Sequence, residues 1–212
     1  MSQSRRLKQL LLIFFMLVTG PASVMAQKNL KGKDQLITIT TPQGTLKLVL
    51  FDDTPQHKAN FLKLAREGFY NGTTFHRIVQ GFMIQGGDPN SKTGDRNNIG
   101  TGNPGYTIPA EILPKYKHVR GAVAAARMGD HMNPKKESSG SQFYIVENHR
   151  GTPMLDEAYT VFGQVVDGLD VIDKIASQPK GARDRPISDI TMEVKVEEMK
   201  KKKIAKKYKY TY

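Results

Sequence analysis

The sequence predicts a mainly β protein with few helices, arranged as a barrel or a sandwich. Eight short segments are rich in apolar and β-branched residues, whereas only two segments have the spacing of apolar residues that suits a helix. The predicted strands do not alternate with helices, which argues against a parallel α/β sheet. A chain of 212 residues is long enough for one such domain with appendages.

The first two predicted strands form a hairpin. Leu36–Thr41 and Thr45–Phe51 are rich in Leu, Ile, Val and Thr, and Pro42-Gln43-Gly44 between them is typical of a turn. In the second strand leucines alternate with other residues, which is the pattern of a half-buried strand. Six shorter apolar runs complete the set: Thr73–Val79, Phe82–Gln85, Gly121–Ala126, Gln142–Glu147, Tyr159–Val166 and Ile190–Val196.

The two predicted helices have recognisable ends. The first begins at Thr54-Pro55, because Thr is a good N-cap and Pro is tolerated at the first helical position, and it ends at Gly68. The second covers Leu169–Ser177, where Asp167 can act as a cap and Pro179 stops the helix.

Residues 1–26 have the pattern of a cleaved signal peptide. Three basic residues and no acid precede nine consecutive apolar residues, Leu10–Val18, and Val24-Met25-Ala26 fits a cleavage motif. A retained membrane anchor is the weaker alternative, because nine apolar residues are about half of a membrane span. We therefore expect export, to the periplasm or beyond it, and a mature chain that starts with a short lead-in at residues 27–34.

The net charge of +12 is concentrated at the ends of the chain. Residues 197–212 hold seven Lys against two Glu, with three Tyr among them. Basic and aromatic residues together can bind single-stranded nucleic acid, but an exported protein meets little of it, so no nucleic-acid partner is expected. We expect a solvated, disordered tail, with weak contact to an anionic envelope surface as the alternative.

Several classes of site are excluded by composition and context. The absence of Cys excludes disulfides, thiol nucleophiles and iron–sulfur clusters. Gly100–Gly105 fits G-x-G-x-x-G, but Pro109 stands where the helix of a dinucleotide site would run. Asp88-x-Asn90 begins like a calcium loop and lacks the glycine and oxygen ligand that should follow. The five His show no metal-ligand spacing, so neither a metal nor a cofactor is expected.

Three ordered blocks resemble the cyclophilin family of peptidyl-prolyl isomerases. Phe75–Asp88 (FHRIVQGFMIQGGD) is similar to the family signature, and Gly140–Ile145 (GSQFYI) is similar to its second block. Leu155-Asp156 followed by Val161–Val165 (VFGQV) is similar to the third. The resemblance extends from about Leu36 to Val196, so we place the domain at residues 35–196. It implies a closed eight-stranded antiparallel β-barrel capped by two α-helices, with the substrate groove on its outer face.

The resemblance implies rotation about Xaa–Pro bonds, a reaction with no covalent step. Amide resonance sets the uncatalysed barrier at about 18–20 kcal/mol. In the twisted state the proline nitrogen regains its lone pair, and a fixed donor aimed at it lowers the barrier. The resemblance makes Arg77 the candidate donor. It makes Gln85 a polar group that orients the substrate backbone or Arg77.

The remaining predicted site residues line the groove by the same resemblance. The apolar slot for the proline ring consists of Phe82, Met83, Tyr144 and Leu155. The main-chain edge that pairs with the substrate consists of Ala126 and Arg127. The further side chains that support them are Gln142 and Tyr159. Tyr144 stands for a frequent Phe, Tyr159 for a frequent His, and Arg127 for a frequent Asn. Met154 stands where many members have a Trp that is tied to cyclosporin binding.

We therefore expect a monomeric peptidyl-prolyl cis-trans isomerase that assists the folding of exported proteins. Its partners would be unfolded or flexible proline-containing polypeptides. One alternative is a proline-peptide-binding or holdase module with little turnover. Another is an envelope-anchoring protein whose basic tail is the functional part.

Overall fold

The computed structural model describes residues 30–93 and 97–212, which form ten β-strands and three α-helices. The strands are β1 Lys33–Thr41, β2 Gly44–Leu50, β3 Phe75–Val79, β4 Met83–Gly86, β5 Thr107–Ile108, β6 Ala122–Ala125, β7 Ser138–Ser139, β8 Phe143–Val146, β9 Val161–Asp167 and β10 Glu193–Lys200. The helices are α1 Pro55–Arg66, α2 Leu169–Ala176 and α3 Lys201–Tyr208. The predicted signal peptide lies outside the described residues.

Eight strands form one antiparallel sheet in the order β10-β1-β2-β9-β6-β8-β4-β3. Strands β3 and β10 are its two edges, and the start of β3 with the residues before it meets the segment before β10. Phe75 N–H donates to the Ile190 carbonyl oxygen at 2.9 Å, and Met192 N–H donates to the Thr73 carbonyl oxygen at 2.8 Å. The sheet is therefore curled as a half-barrel, and the closed barrel predicted from the sequence is not confirmed.

The two faces of the sheet carry two separate apolar clusters. Along β4, Ile84 belongs to the main core and Met83 to a second cluster, because successive side chains of a strand point to opposite faces. Helices α1 and α2 contribute Phe61 and Ile172 to the main core, among others. The second cluster, here called the outer cluster, contains six buried residues: Met83, Ala122, Ala124, Tyr144, Val146 and Val161.

Both predicted helices are present, but their caps differ from the prediction. Thr54 makes no side-chain cap, and its hydroxyl donates instead to the Phe51 carbonyl oxygen at 3.3 Å. Gly168, not Asp167, occupies the N-cap position of α2, with φ 85°. A Cβ on Gly168 would lie 2.3 Å from the Thr45 carbonyl oxygen, so a glycine is required there by both backbone conformation and space.

Several segments between the predicted strands and helices contain short elements. Strands β5 and β7 pair as a small separate sheet. Single 3₁₀ turns lie at Pro89–Lys92, Pro153–Leu155 and Ala182–Asp184. A two-residue strand gives too little apolar periodicity to be predicted from sequence.

The described chain divides into two units, residues 34–199 and the terminal residues 30–33 with 200–212. In the terminal unit, Lys201 N–H donates to the Gly32 carbonyl oxygen at 3.1 Å, and the Lys201 ammonium lies 4.9 Å from the centre of the Tyr212 ring. The predicted disorder of the tail is wrong for residues 197–208, because residues 197–200 belong to β10 and Lys201–Tyr208 is helical. Within the described ranges, none of the helices has the length and apolar character needed to cross a bilayer.

Candidate active site

Four residues on the outer face of the sheet form a cross-strand row. Arg77 on β3 lies opposite Gln85 on β4, Gln85 lies opposite Tyr144 on β8, and Tyr144 lies opposite Ala124 on β6. Residues directly opposite one another in an antiparallel sheet have their side chains on the same face, a few ångströms apart. The sheet register thus brings the predicted donor Arg77 and the polar group Gln85 beside the outer cluster.

The Arg77 side chain is 43% exposed, and Asp184 is its acidic neighbour among the described residues. Its Nε lies 3.8 Å from Oδ2 of Asp184, while Oδ1 of Asp184 accepts from the Lys180 ammonium at 2.8 Å. Lys180 also donates to the Ile78 carbonyl oxygen at 3.1 Å, which ties this turn to β3. The hydrogen bond from Lys180 and the charge of Arg77 lower the pKa of Asp184. Asp184 could not be predicted from the sequence, because a single acid in a loop gives no signal.

The neighbour of Arg77 along β3 carries no charge at neutral pH. His76 is buried, and burial, together with the positive charges of Arg185 and Arg77, lowers its pKa to about 4. A neutral imidazole adds no positive charge that would repel the Arg77 guanidinium or compete with it for an acceptor.

Two glutamine side chains form an amide chain next to the row. Gln85 Nε2 donates to Oε1 of Gln142 at 3.0 Å. Gln142 Nε2 in turn donates to the carbonyl oxygens of Gly102 at 2.7 Å and Gly100 at 3.2 Å. This arrangement fixes the orientation of the Gln85 amide, so its carbonyl oxygen is the group that can act toward Arg77 or a substrate N–H.

The glycine-rich loop that holds Gln142 is organised around Asp88, which is fully buried. One carboxylate oxygen of Asp88 accepts from Asn90 N–H at 2.7 Å, and the other accepts from the N–H groups of Gly100 and Gly102. A Cβ on Gly102 would lie 2.1 Å from the Asp88 carboxylate. The motif rejected above as a nucleotide loop therefore wraps a carboxylate of the protein itself. The sequence places Asp88 at the end of the signature block and in an incomplete calcium motif, and neither pattern indicates this supporting role.

The predicted proline slot coincides with the outer cluster. Met83 and Tyr144 are buried in it, and partly buried residues pack against it, among them four further predicted site residues: Phe82, Ala126, Leu155 and Tyr159. Met154 lies beside Leu155 in the 3₁₀ turn with its side chain 72% exposed. The structure thus gathers the predicted apolar residues on one face of the sheet.

The predicted main-chain edge of the groove is partly occupied by the protein's own hydrogen bonds. Ala126 N–H donates to the Gln142 carbonyl oxygen at 3.0 Å, and the Ala126 carbonyl oxygen accepts from Ser139 N–H at 2.8 Å. A carbonyl oxygen has two lone pairs, so it can accept one further hydrogen bond, whereas the N–H of Ala126 is already used.

The Arg127 side chain does not extend into solvent beside the groove, since only 4% of it is exposed. Its Nε donates to the Ala158 carbonyl oxygen at 2.9 Å, and one terminal nitrogen donates to the Met128 carbonyl oxygen at 2.9 Å and to Asp130 at 2.5 Å. The guanidinium also lies 4.5 Å from the centre of the Tyr159 ring. Arg127 therefore fastens two loops together.

One group of potential metal ligands occurs in the described part of the chain, and its members already have protein partners. Glu147, His149 and Asp173 bring ligand atoms within 4.8 Å of one another. However, Glu147 accepts from Gly81 N–H at 2.7 Å, and Asp173 accepts from Arg120 at 2.6 Å. We assign no metal to this cluster.

Comparison with known proteins shows which family the sequence is similar to. The sequence model described as "Cyclophilin type peptidyl-prolyl cis-trans isomerase/CLD" matches residues 36–196. A peptidyl-prolyl cis-trans isomerase of Helicobacter pylori is 41% identical over 148 residues, which cover 68% of this chain and 82% of the relative. The peptidyl-prolyl cis-trans isomerase-like 2 of Rhizopus delemar is 40% identical over 170 residues, which cover 77% of this chain but only 28% of that larger relative.

A solved structure is similar over most of the chain. The crystal structure of a Cryptosporidium parvum cyclophilin type peptidyl-prolyl cis-trans isomerase superposes with a TM-score of 0.68 at 31% sequence identity. The match covers 78% of this chain and 98% of the other. The two proteins thus share one fold over the matched part of the chain.

Proposed function

The chain belongs to the cyclophilin-type peptidyl-prolyl cis-trans isomerase family, and from this premise we propose that it accelerates rotation about Xaa–Pro bonds in unfolded or flexible polypeptides. The observation that carries the proposal is the placement of an exposed Arg77 guanidinium in one row with Gln85 and Tyr144, beside an apolar cluster on the outer face.

Arg77 would act on the twisted amide. When the Xaa–Pro bond rotates out of plane, resonance is lost and the proline nitrogen becomes a hydrogen-bond acceptor. The guanidinium stays charged and presents several N–H groups in a rigid fork, one of which can donate to this nitrogen. A planar amide nitrogen accepts poorly, so the bond is stronger in the transition state, and each tenfold gain in rate needs about 1.4 kcal/mol of such preference.

The other site residues would hold the substrate while the bond rotates. The outer cluster offers apolar contacts for the proline ring, so that the ring stays fixed and the residue before it turns. The Gln85 carbonyl oxygen, oriented by Gln142, can accept a hydrogen bond from the substrate backbone or from Arg77. No covalent intermediate, metal or cofactor enters this mechanism.

The test is a cis-to-trans isomerisation assay on a short Xaa–Pro peptide with the purified protein, Arg77→Ala and Arg77→Lys. We expect a loss of kcat/KM of about a hundredfold in Arg77→Ala, which corresponds to about 2.7 kcal/mol of transition-state stabilisation. Lys should rescue little, because a point charge does not reproduce the fork. Arg150→Ala, at an exposed arginine on another loop, is the matched control. A parent protein no faster than buffer would refute the proposal.

Binding with little turnover is the second candidate, favoured by exposed apolar side chains. Met128, Met132 and Met154 are each more than 60% exposed, and flexible thioether side chains suit varied apolar partners. The same assay separates the two functions. A chain-holding protein would suppress aggregation of an unfolded protein equally well with Arg77→Ala, without accelerating isomerisation.

We also propose that the protein acts on exported polypeptides after removal of residues 1–26. The support is the basic, apolar and small-residue pattern of that segment. The measurement is the N-terminal sequence of the protein recovered from its host. A mature chain that starts at Gln27 agrees with export, and an intact Met1 contradicts it.

The basic tail is proposed to make weak contact with an anionic envelope surface. Lys202, Lys203, Lys206 and Lys207 are exposed on helix α3, and no acidic residue lies in its first turn. Each such Lys contributes about 1 kcal/mol of attraction near an anionic surface. Sedimentation with vesicles that contain anionic lipid should fall when these four Lys are changed to Gln. Equal sedimentation of this variant would refute the contact.

A further inference from the structure

A chain of hydrogen bonds from Asp156 through His118 ends at the phenol of Tyr144. Asp156 Oδ1 accepts from His118 N–H at 2.8 Å and lies 2.8 Å from Nδ1 of the same residue. The other ring nitrogen of His118, Nε2, lies 2.8 Å from the Tyr144 hydroxyl. The His118 side chain is fully buried, so no solvent competes for these bonds.

The chemistry of Asp156 sets the direction of each bond. Burial alone would raise the pKa of Asp156, but the hydrogen bonds from the His118 backbone and ring hold it below its usual range, so the carboxylate is an acceptor only. Burial lowers the pKa of His118, which is therefore neutral. Nδ1–H donates to Asp156, Nε2 is left as an acceptor, and the Tyr144 O–H donates to it.

The imidazole of His118 is fixed from several sides, so it can act as a rigid anchor. The His118 carbonyl oxygen accepts from Thr152 N–H at 2.8 Å. The rings of His118 and Tyr144 are near parallel at 10°, and Tyr159 meets both of them edge-on. Because the Tyr144 O–H donates its hydrogen bond to His118, it cannot also donate one to a substrate.

We propose that His118 and Asp156 are positioning residues, which hold the Tyr144 ring as a fixed wall of the proline slot. The inference rests on the proposed function for its effect on catalysis, because the wall matters only if a proline ring packs on it. The hydroxyl that distinguishes Tyr from Phe at this position thus acts through ring orientation and makes no direct contact with the substrate.

The first test is spectroscopic and needs no substrate. Nitrogen-15 chemical shifts of the full chain at neutral pH distinguish the two imidazole tautomers. We expect His118 with its proton on Nδ1 and an unprotonated Nε2. We also expect ring flips of Tyr144 that become faster in His118→Phe. A proton on Nε2, or unchanged flips in the variant, would overturn the inference whether or not the protein is an isomerase.

The second test is a double-mutant cycle on peptide isomerisation, with His118→Phe, Tyr144→Phe and the double variant. Each single change should lower kcat/KM about three- to tenfold through a higher KM, which is the effect of one lost hydrogen bond on binding. In the Tyr144→Phe background, His118→Phe should cause no further loss. Losses that multiply would show independent structural roles and refute the positioning role.

Two further variants guard against misfolding and off-site effects. His118→Gln keeps an acceptor near the Nε2 position and should retain more activity than His118→Phe. The midpoint of thermal unfolding of each variant is measured in parallel as the control for misfolding. His149→Phe changes an exposed histidine elsewhere and should change neither KM nor the Tyr144 flip rate. If the parent protein is inactive but its Tyr144 ring flips slowly, only the proposed function is refuted. If His118→Gln is no more active than His118→Phe, the hydrogen-bond chain is refuted.

Discussion

The Glu111 carboxylate caps helix α1 through His57. Its Oε2 accepts from His57 N–H at 3.0 Å and lies 2.6 Å from Nδ1 of the imidazole, while Oε1 accepts from Gln56 N–H at 3.0 Å. These are orphan N–H groups of the first turn, where the helix dipole favours a negative charge. A residue 54 positions away in the chain thus replaces the local cap that Thr54 does not supply.

Glu111→Gln should lower the free energy of unfolding by about 1–2 kcal/mol, the usual contribution of a cap and a charge at a helix N-terminus. The amide keeps one acceptor, but it brings an NH₂ group against backbone N–H donors and loses the charge. Urea unfolding of the parent and the variant measures the difference. Glu193→Gln, at an exposed carboxylate on β10, should be neutral, and an equal loss in both variants would contradict the capping role.

This pair also predicts a pH dependence. Hydrogen bonds from the His57 backbone, the His57 ring and the Gln56 backbone outweigh burial and lower the pKa of Glu111. Burial lowers the pKa of His57, and Glu111 opposes this shift. Both groups have lower pKa values folded than unfolded, so the unfolded state binds more protons and stability falls on acidification.

The pH window follows from the ordinary values of 6.5 for His and 4.5 for Glu. Without Glu111 the pKa of His57 falls further, so the stability gap between the parent and Glu111→Gln should widen as pH falls below the pKa of His57 in the folded parent, which itself lies below 6.5. It should shrink from 4.5 downwards, where the unfolded state takes up the proton of Glu111, until the pH falls below the lowered pKa of Glu111 in the folded parent. Urea unfolding at a series of pH values measures this gap. A gap that stays constant from neutral to acidic pH would refute the assignment.

The sequence predicted the eight strands of the main sheet and two of the helices well, because each carries its own apolar pattern. Thr45–Phe51 and Leu169–Ser177, for example, correspond closely to β2 and α2. The resemblance also led to Arg77, Gln85 and Tyr144, which the sheet register places in one row. Their functional roles stay predictions.

What the sequence could not supply are partners that meet only in three dimensions. Asp184 beside Arg77 and Glu111 beneath α1 are single acids in loops, with no local pattern to mark them. The burial of Arg127 was unpredictable for the same reason, since its acceptors Ala158 and Met128 belong to two separate loops. The extent of closure between β3 and β10 likewise depends on long-range pairing.

Asp88 and Gly102 should be coupled in stability and activity. Asp88→Ala leaves three N–H donors without their acceptor and is expected to cost about 2–4 kcal/mol. Gly102→Ala places a Cβ against the same carboxylate and should cost about 1–3 kcal/mol. Both changes displace the carbonyl oxygens that hold Gln142, so kcat/KM should fall as well.

Chemical unfolding and peptide isomerisation, measured on the same samples, check this coupling. Gly129→Ala is the matched control, because a Cβ there meets nothing within 4 Å. If Gly102→Ala behaved like Gly129→Ala, the loop would not depend on close wrapping of Asp88. If Asp88→Ala lost stability but kept full activity, the loop would not position Gln142.

Arg127→Lys should loosen the loop that follows β6. Lys cannot reproduce the planar fork that reaches Ala158, Met128 and Asp130 together, so we expect a loss of about 1–2 kcal/mol. The loop should then open more often, and trypsin should cut sooner after the exposed Lys135, as followed by mass spectrometry.

Asp130→Asn removes only the exposed partner and should change the cleavage rate little, since surface ion pairs contribute at most about 1 kcal/mol. Cleavage at the parent's rate in Arg127→Lys would show that the clamp does not hold the loop, whereas equally fast cleavage in both variants would mean that the ion pair with Asp130 is its main component.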